Sequence, residues 1–315
     1  MGGRVRPRIR PPLPHPVVGG EQVSGIERVG VVGAGQMGAG IAEVCARAGN
    51  DVHVVEQHHG ALDRGRERIL ASMDRAVDRG RLSVPDRDAA ASRLTFSTDL
   101  GDLADRQLVI EAVVENEMVK CDLAASLDKV LADPDAVIAS NTSSIPIMKL
   151  AHGTGRPGQV VGLHFFNPVP VLPLVEVVGS LTTSAQTLAR VEEWVTGALG
   201  KQTIRAADRA GFVVNALLVP YLLGAVRMVE TGRATPADVD AGMRLGCAHP
   251  MGPLELADLI GLDTVAAIAE TMYAEEHEPL YAPPPLLRRM VQAGLLGRKT
   301  GRGFHSYPAT TAGAR

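Results

Sequence analysis

The run Val29-Gly-Val-Val-Gly-Ala-Gly-Gln-Met-Gly-Ala-Gly40, closed by Val52-His-Val-Val-Glu-Gln57, decides how this chain folds. Gly33, Gly35 and Gly38 form a G-x-G-x-x-G turn directly after the apolar stretch Val29–Val32. The turn opens a helix over Gln36–Ala48, and a second apolar stretch, Val52–Val55, ends in an acid, Glu56. Each part has a physical task. Gly33 permits the tight turn, Gly35 lets a pyrophosphate approach bare backbone, and Gly38 lets the helix lie close to the strand. The helix N-terminus, beginning with Gln36 and Met37, offers N–H groups and the positive end of its dipole to phosphates. Glu56, 21 residues past Gly35, is placed to accept hydrogen bonds from the adenosine ribose hydroxyls. Its charge would repel the 2′-phosphate of NADP, and Gln57, His58 and His59 include no arginine to receive one. The expectation is a dinucleotide-binding unit that prefers NAD, with Gly33, Gly35, Gln36, Met37, Gly38 and Glu56 as its contacts.

The 315 residues carry a formal charge of −3 and are 45% apolar, an ordinary globular composition. Nothing in that balance points to nucleic acid, and no apolar run approaches the roughly 18 residues a membrane span requires. Cys45, Cys121 and Cys247 lie far apart without metal-ligand spacing. No metal is expected; Cys45 reads as a core thiol, and a reducing cytoplasm fits. Residues 1–25 hold four arginines and five prolines with no acid before Glu21. The prolines forbid the amphipathic helix of a transit peptide, so a disordered tail is expected there, and a second one over 309–315.

From Val29 to about Arg205, apolar strand-like runs alternate with helical segments. The strands are expected at Val29–Val32, Val52–Glu56, Leu108–Ala112, Ala136–Ser140, Val160–Phe166 and Leu174–Val178, with a long arginine-rich helix over Gly60–Arg81. Such alternation predicts a Rossmann-type α/β fold: a doubly wound, mostly parallel sheet with helices on both faces. After Asp208 the texture becomes helical, over Ala210–Glu230, Thr235–Leu245, Gly252–Ile260, Asp263–Tyr273 and Pro285–Ala293. The domains are therefore expected at 26–207, binding the dinucleotide, and at 208–308, a smaller all-helical unit closing the substrate cleft. Its stretches Leu217–Leu223 and Ile260–Ile268 are expected to form an apolar face that pairs two subunits into a homodimer.

Ser140-Asn-Thr-Ser-Ser144 follows a strand and puts polar side chains at the nucleotide edge, either to cap a helix starting at Ile145 or to touch substrate. His164 lies within the apolar run Val160–Phe166, and Glu176 lies twelve residues later in another, Leu174–Val178. Burying either alone would be costly. Joined by a turn containing Pro168, Pro170 and Pro173, they make a histidine base oriented by a carboxylate.

Six stretches in order resemble the short-chain 3-hydroxyacyl-CoA dehydrogenase family, over about residues 27–307. They are the glycine-rich opening, Ser140–Ser144, Gly162–Pro170 with Leu174–Val177, Gly211–Tyr221, His249–Leu256 and Lys299–Phe304. The resemblance implies oxidation of the C3 hydroxyl of an (S)-3-hydroxyacyl-CoA, with NAD as hydride acceptor. His164 would be the general base, Glu176 its orienting partner, Ser143 a contact of both substrate and nicotinamide, and Asn215 a substrate contact. Glu115, Lys120 and Arg298 match positions beside the cofactor, and Ser72 and Arg79 match coenzyme A contacts. Arginine stands at 79 and 298 where lysine is usual, Pro173 where relatives often carry lysine, and Ala216 where arginine is usual. The same fold also serves free hydroxy or sugar acids, and crystallin-like relatives only bind NAD. The Ser72/Arg79 spacing argues against the first and the intact His164–Glu176 pair against the second.

Overall fold

Residues 24–308 are described by the computed structural model. The tail expected over 1–25 therefore lies outside them except for Ser24 and Gly25, whose carbonyls accept bonds from Arg190 and Gln107. The tail expected over 309–315 lies outside them entirely.

Eight strands form one sheet: β1 (Arg28–Val32), β2 (Asp51–Val55), β3 (Leu94–Ser97), β4 (Leu108–Glu111), β5 (Val137–Ser140), β6 (Val160–Phe165), β7 (Leu174–Gly179) and β8 (Gln202–Ala207). Their order is β3-β2-β1-β4-β5-β6-β7-β8, parallel from β3 to β6. The helices of this layer are α1 (Gln36–Arg47), α2 (His59–Asp78), α3 (Val84–Ser92), α4 (Glu117–Val130), α5 (Ile147–His152) and α6 (Ala185–Glu193). One apolar core joins the sheet to α1, α2, α3 and α6, and a second joins the other face to α4 and α5. The fold is the Rossmann-type arrangement that the alternation of runs predicts.

The strand β7 is the exception that makes the site. A short proline-containing turn links it to β6, too short for a crossover helix, so the two pair antiparallel. In that register His164 stands directly opposite Glu176. Two strands, β3 and β8, carry no clear apolar run. Both are edge strands: β8 keeps Gln202, Arg205 and Ala207 exposed, and β3 exposes Thr95 with its other residues half-buried.

The helical unit comprises α7 (Val214–Glu230), α8 (Pro236–Gly246), α9 (Pro253–Ile260), α10 (Leu262–Glu276) and α11 (Pro285–Gln292) around a third core. The helix expected from Ala210 begins at Val214, because Gly211 (φ +83°) and Phe212 (φ +49°) adopt left-handed backbone that no helix continues. The apolar face expected to pair subunits is largely turned inward. Val219, Leu222, Leu223, Leu262, Val265 and Ile268 fill the unit's own core, leaving Leu217 as its exposed large member, with Leu259 exposed just before its second stretch. The periodicity that marks a dimer face is also that of an ordinary helix packed on its neighbours.

Close packing around the glycine-rich turn reaches a residue that the motif does not contain. Gly65, in α2, rests directly on Ala34, and a Cβ at Gly65 would collide with the Ala34 side chain. Gly65→Ala should therefore cost about 1–3 kcal/mol of stability, read as a lower urea midpoint with an unchanged slope. An unchanged midpoint would mean that α2 gives way freely at this point.

Candidate active site

Parallel pairing brings the C-terminal ends of β1, β4, β5 and β6 to one edge, where ligands of doubly wound sheets bind. At β1, Gly33 has φ +94°, and a Cβ there would press on the Ala112 carbonyl at 2.7 Å. A Cβ on Gly38 would collide with the Gly33 carbonyl, whereas Gly35 faces open space. No side chain caps α1, so the N-terminus led by exposed Gln36 and half-buried Met37 is left to an anionic partner. These residues fit a dinucleotide pyrophosphate. Glu56 accepts from the N–H of Ala34 at 2.9 Å and of Gln57 at 3.0 Å, which aims its carboxylate beside the turn. Arg68 donates to the Ala34 carbonyl at 2.7 Å, holding the same residue from its other side.

A buried charge network shapes the Ser140–Ser144 loop. Lys120, 1% exposed, lies 2.8 Å from both oxygens of Glu111 and 3.3 Å from Glu115. Glu115 Oε1 accepts from the Thr142 hydroxyl at 2.6 Å, the Ser143 N–H at 3.0 Å and the Ser144 hydroxyl at 3.2 Å. Burial acts to raise the Glu115 pKa, but Lys120, Thr142 and the Ser143 N–H outweigh it and hold the carboxyl below its ordinary value. Lys120 thus reaches Ser143 through Glu115. The Ser140 hydroxyl bonds Glu111, and Thr142 Oγ1 accepts from the N–H groups of Ser144 and Ile145. The helix expected at Ile145 starts at Ile147, and its cap comes from elsewhere. Asp208 accepts from the N–H groups of Ile147 at 2.6 Å and Met148 at 2.8 Å, and burial pushes this carboxyl above its ordinary value.

His164 Nδ1 and Glu176 Oε2 are 2.7 Å apart, and Glu176 is fully buried. The other oxygen of Glu176 accepts from the N–H groups of Val213 at 3.0 Å and Val214 at 2.9 Å, at the start of α7. Two backbone N–H groups thus hold one oxygen of Glu176 as an acceptor, and the other oxygen faces Nδ1. Nδ1 of His164 then carries the hydrogen, and Nε2 holds the lone pair. Phe166 and Phe212 flank the imidazole, with ring centroids at 4.5 and 5.6 Å. One residue past Val214, Asn215 lies buried in the first turn of α7. The arrangement can remove a proton from a group placed against Nε2 and stabilise the imidazolium that results.

Not every expected position gathers here. Ser72 and Arg79 lie about 10 Å apart along α2, Ser72 half-buried and Arg79 exposed. Arg298 stands apart from the rest. It pairs with Glu255 at 2.9 Å, stacks over Tyr307 at 5.2 Å, and neighbours Lys299, which bonds Asp263 at the start of α10. Both contacts of Arg298 lie within the helical unit.

Sequence reading missed Glu111, Arg68 and Asn141, whose Oδ1 accepts the Phe165 N–H at 2.9 Å. An acid closing an apolar strand, as Glu111 does, was an available signal because Glu56 has the same placement.

Residues 28–209 match the 3-hydroxyacyl-CoA dehydrogenase NAD-binding domain, and residues 211–307 match the 3-hydroxyacyl-CoA dehydrogenase C-terminal domain. A 3-hydroxybutyryl-CoA dehydrogenase of Mycobacterium tuberculosis is 62% identical over 282 residues, covering 90% of this chain and 99% of that one. A probable 3-hydroxybutyryl-CoA dehydrogenase of Deinococcus radiodurans is 48% identical over 280 residues, covering 89% and 100%. Among solved structures, FadB2 of M. tuberculosis superimposes with a TM-score of 0.89 at 61% identity, covering 90% of this chain and 99% of that chain. The (S)-3-hydroxybutyryl-CoA dehydrogenase PaaH1 of Ralstonia eutropha gives a TM-score of 0.85 at 45% identity, with the same coverage.

Proposed function

The chain belongs to the 3-hydroxyacyl-CoA dehydrogenase family, and we propose that it oxidises the C3 hydroxyl of a short-chain (S)-3-hydroxyacyl-CoA, 3-hydroxybutyryl-CoA foremost, in a reversible reaction. NAD is the cofactor. The observation that carries this reading is the buried His164–Glu176 pair, set at the edge of a sheet whose first turn fits a dinucleotide.

When bound, NAD supplies the acceptor for the hydride that leaves C3. His164 Nε2 takes the hydroxyl proton, and Glu176 holds the tautomer and stabilises the imidazolium. Ser143, fixed through Glu115, and Asn215, fixed at the start of α7, hold the reacting oxygen and the thioester in a near-attack geometry. Gly33, Gly35, Gln36, Met37, Gly38, Glu56, Glu115 and Lys120 form or support the cofactor side, and Ser72 and Arg79 the coenzyme A side. Arg298 joins the cofactor side as the family resemblance implies. The end of β8 at Ala207 and the left-handed break at Gly211 and Phe212 support a division near residue 208. Three free thiols agree with a reducing, cytoplasmic setting. No helix of the described residues is long and apolar enough to cross a membrane.

Glu176→Gln is a sharper test than its small size suggests. The amide oxygen must face the Val213 and Val214 N–H groups, because only an acceptor fits there. The amide NH₂ is then turned toward His164 Nδ1, which forces the ring proton onto Nε2 and removes the base. We expect kcat for the oxidation of (S)-3-hydroxybutyryl-CoA by NAD to fall by about 10²–10⁴-fold for Glu176→Gln and for His164→Gln, with NAD affinity nearly unchanged. The double variant should be little worse than His164→Gln alone, since the two residues act as one unit. Multiplicative losses would mean independent roles, and normal turnover by His164→Gln would end the mechanism.

A homodimer formed through the helical unit is the oligomeric state we propose. Leu217, 73% exposed on α7, and Leu259, 48% exposed on α9, support it as apolar side chains left uncovered. Sedimentation at micromolar concentration should give twice the chain mass, and Leu217→Glu should shift it toward the monomer. A monomeric unmodified protein would exclude this assembly.

A further inference from the structure

The turn between His164 and Glu176 has a shortage of donors. Pro168, Pro170 and Pro173 supply no N–H, and the N–H groups of Val171 and Leu172 both go to the Pro168 carbonyl, at 2.9 and 3.0 Å. The carbonyls of Val169 and Leu172 therefore need a donor from outside the turn. Lys201 provides it. Its Nζ donates to Val169 O at 2.8 Å and to Leu172 O at 2.7 Å, while its side chain is 9% exposed overall. No carboxylate of the described residues comes within salt-bridge distance of this ammonium. Burial holds its pKa below the ordinary lysine value, and the charge of Arg47 adds to that. An ammonium buried without a counter-charge is costly, and a donor with several hydrogens is what the two carbonyls require.

The other side of the same turn rests on the cofactor helix. Val169 is 2% exposed and packs on Gly40 in α1, where a Cβ would stand 2.9 Å from the Val169 Cβ. Gln202, which follows Lys201 and opens β8, donates its N–H to the Pro173 carbonyl at 2.8 Å, so two successive residues hold the turn. The turn is thus clamped between Lys201 and α1, and its two ends lead into the strands of His164 and Glu176.

We propose that Lys201 is a positioning residue for the reaction: by gripping the carbonyls of Val169 and Leu172 it presses the 167–172 turn onto α1 and so sets the spacing between the cofactor helix and His164. The inference rests on the dehydrogenase reading above and adds a residue remote from both substrate and cofactor. Lys201→Met keeps the length and loses the donors. It should lower kcat about 10- to 100-fold, the size of effect a slightly misplaced reacting geometry produces, with the acyl-CoA KM changed by no more than about twofold. Gly40→Ala pushes on the same turn from the opposite side and should give the same pattern. The double variant should then be little worse than the poorer single one, because both loosen one clamp. Lys201→Ala should regain activity with added ethylammonium, and Gly40→Ala should not.

Amide exchange at Val171 and Leu172, read without substrate, should quicken at least about tenfold in Lys201→Met. That measurement is independent of turnover. If the unmodified chain processed no 3-hydroxyacyl-CoA, the functional reading would fall while the clamp was still judged by exchange. Unchanged exchange, a kcat within about twofold of the unmodified enzyme, or multiplicative losses in the double variant would each overturn the role of Lys201.

Discussion

The carboxylate of Glu176 is shared between two demands, and much of the structure is arranged around meeting both. One oxygen orients His164; the other receives the first two N–H groups of the helical unit. A fully buried carboxylate persists only when its lone pairs are matched, and removing one partner of such a pair costs about 3–5 kcal/mol. The helical unit is therefore docked through the same side chain that prepares the base. The same docking sets Phe212 beside the imidazole.

The reversed strand β7 makes this sharing possible. A parallel crossover would have carried the chain through a helix and returned it in a register with no reason to match His164. The short proline turn instead folds β7 back alongside β6, so a separation of twelve residues becomes a cross-strand pair. The turn leaves its own carbonyls short of donors, and a buried lysine from the start of β8 supplies them. Local chain chemistry in the turn thus dictates a distant residue in the edge of the sheet.

Charge is handled differently on the cofactor side. The ends of β1, β4 and β5 carry a chain of acids and hydroxyls in which Lys120 neutralises Glu111 and steadies Glu115. Glu115 in turn gathers Thr142, Ser143 and Ser144. Ser143 is thereby presented by a preformed network of buried groups, which lowers the reorganisation needed when ligands arrive. Within the Ser140–Ser144 stretch Thr142 closes the loop onto the N–H groups of Ser144 and Ile145, while the cap of α5 comes from Asp208.

The order of strands and helices, the glycine-rich turn, and the His164–Glu176 pair could be read from the residues, because each leaves a local signature. Periodicity reports which face is buried, glycines mark where backbone must turn or be approached, and an ionisable residue in an apolar run demands a partner. What the residues did not disclose was non-local. The edge strands β3 and β8 lack a continuous apolar run because water meets one side of them. The left-handed break at Gly211 and Phe212 leads into two N–H groups that bond Glu176, and the cap of α5 comes from the distant Asp208. Whether Leu222 or Val265 faces a neighbouring helix or a second subunit is the same pattern in sequence, and only packing separates them. The chain by itself determined the fold class, the cofactor motif and the pairing of His164 with Glu176. Tertiary structure decided which groups share a hydrogen bond, because partners such as Lys201 and Val169 meet through folding and carry no mark of each other in the sequence.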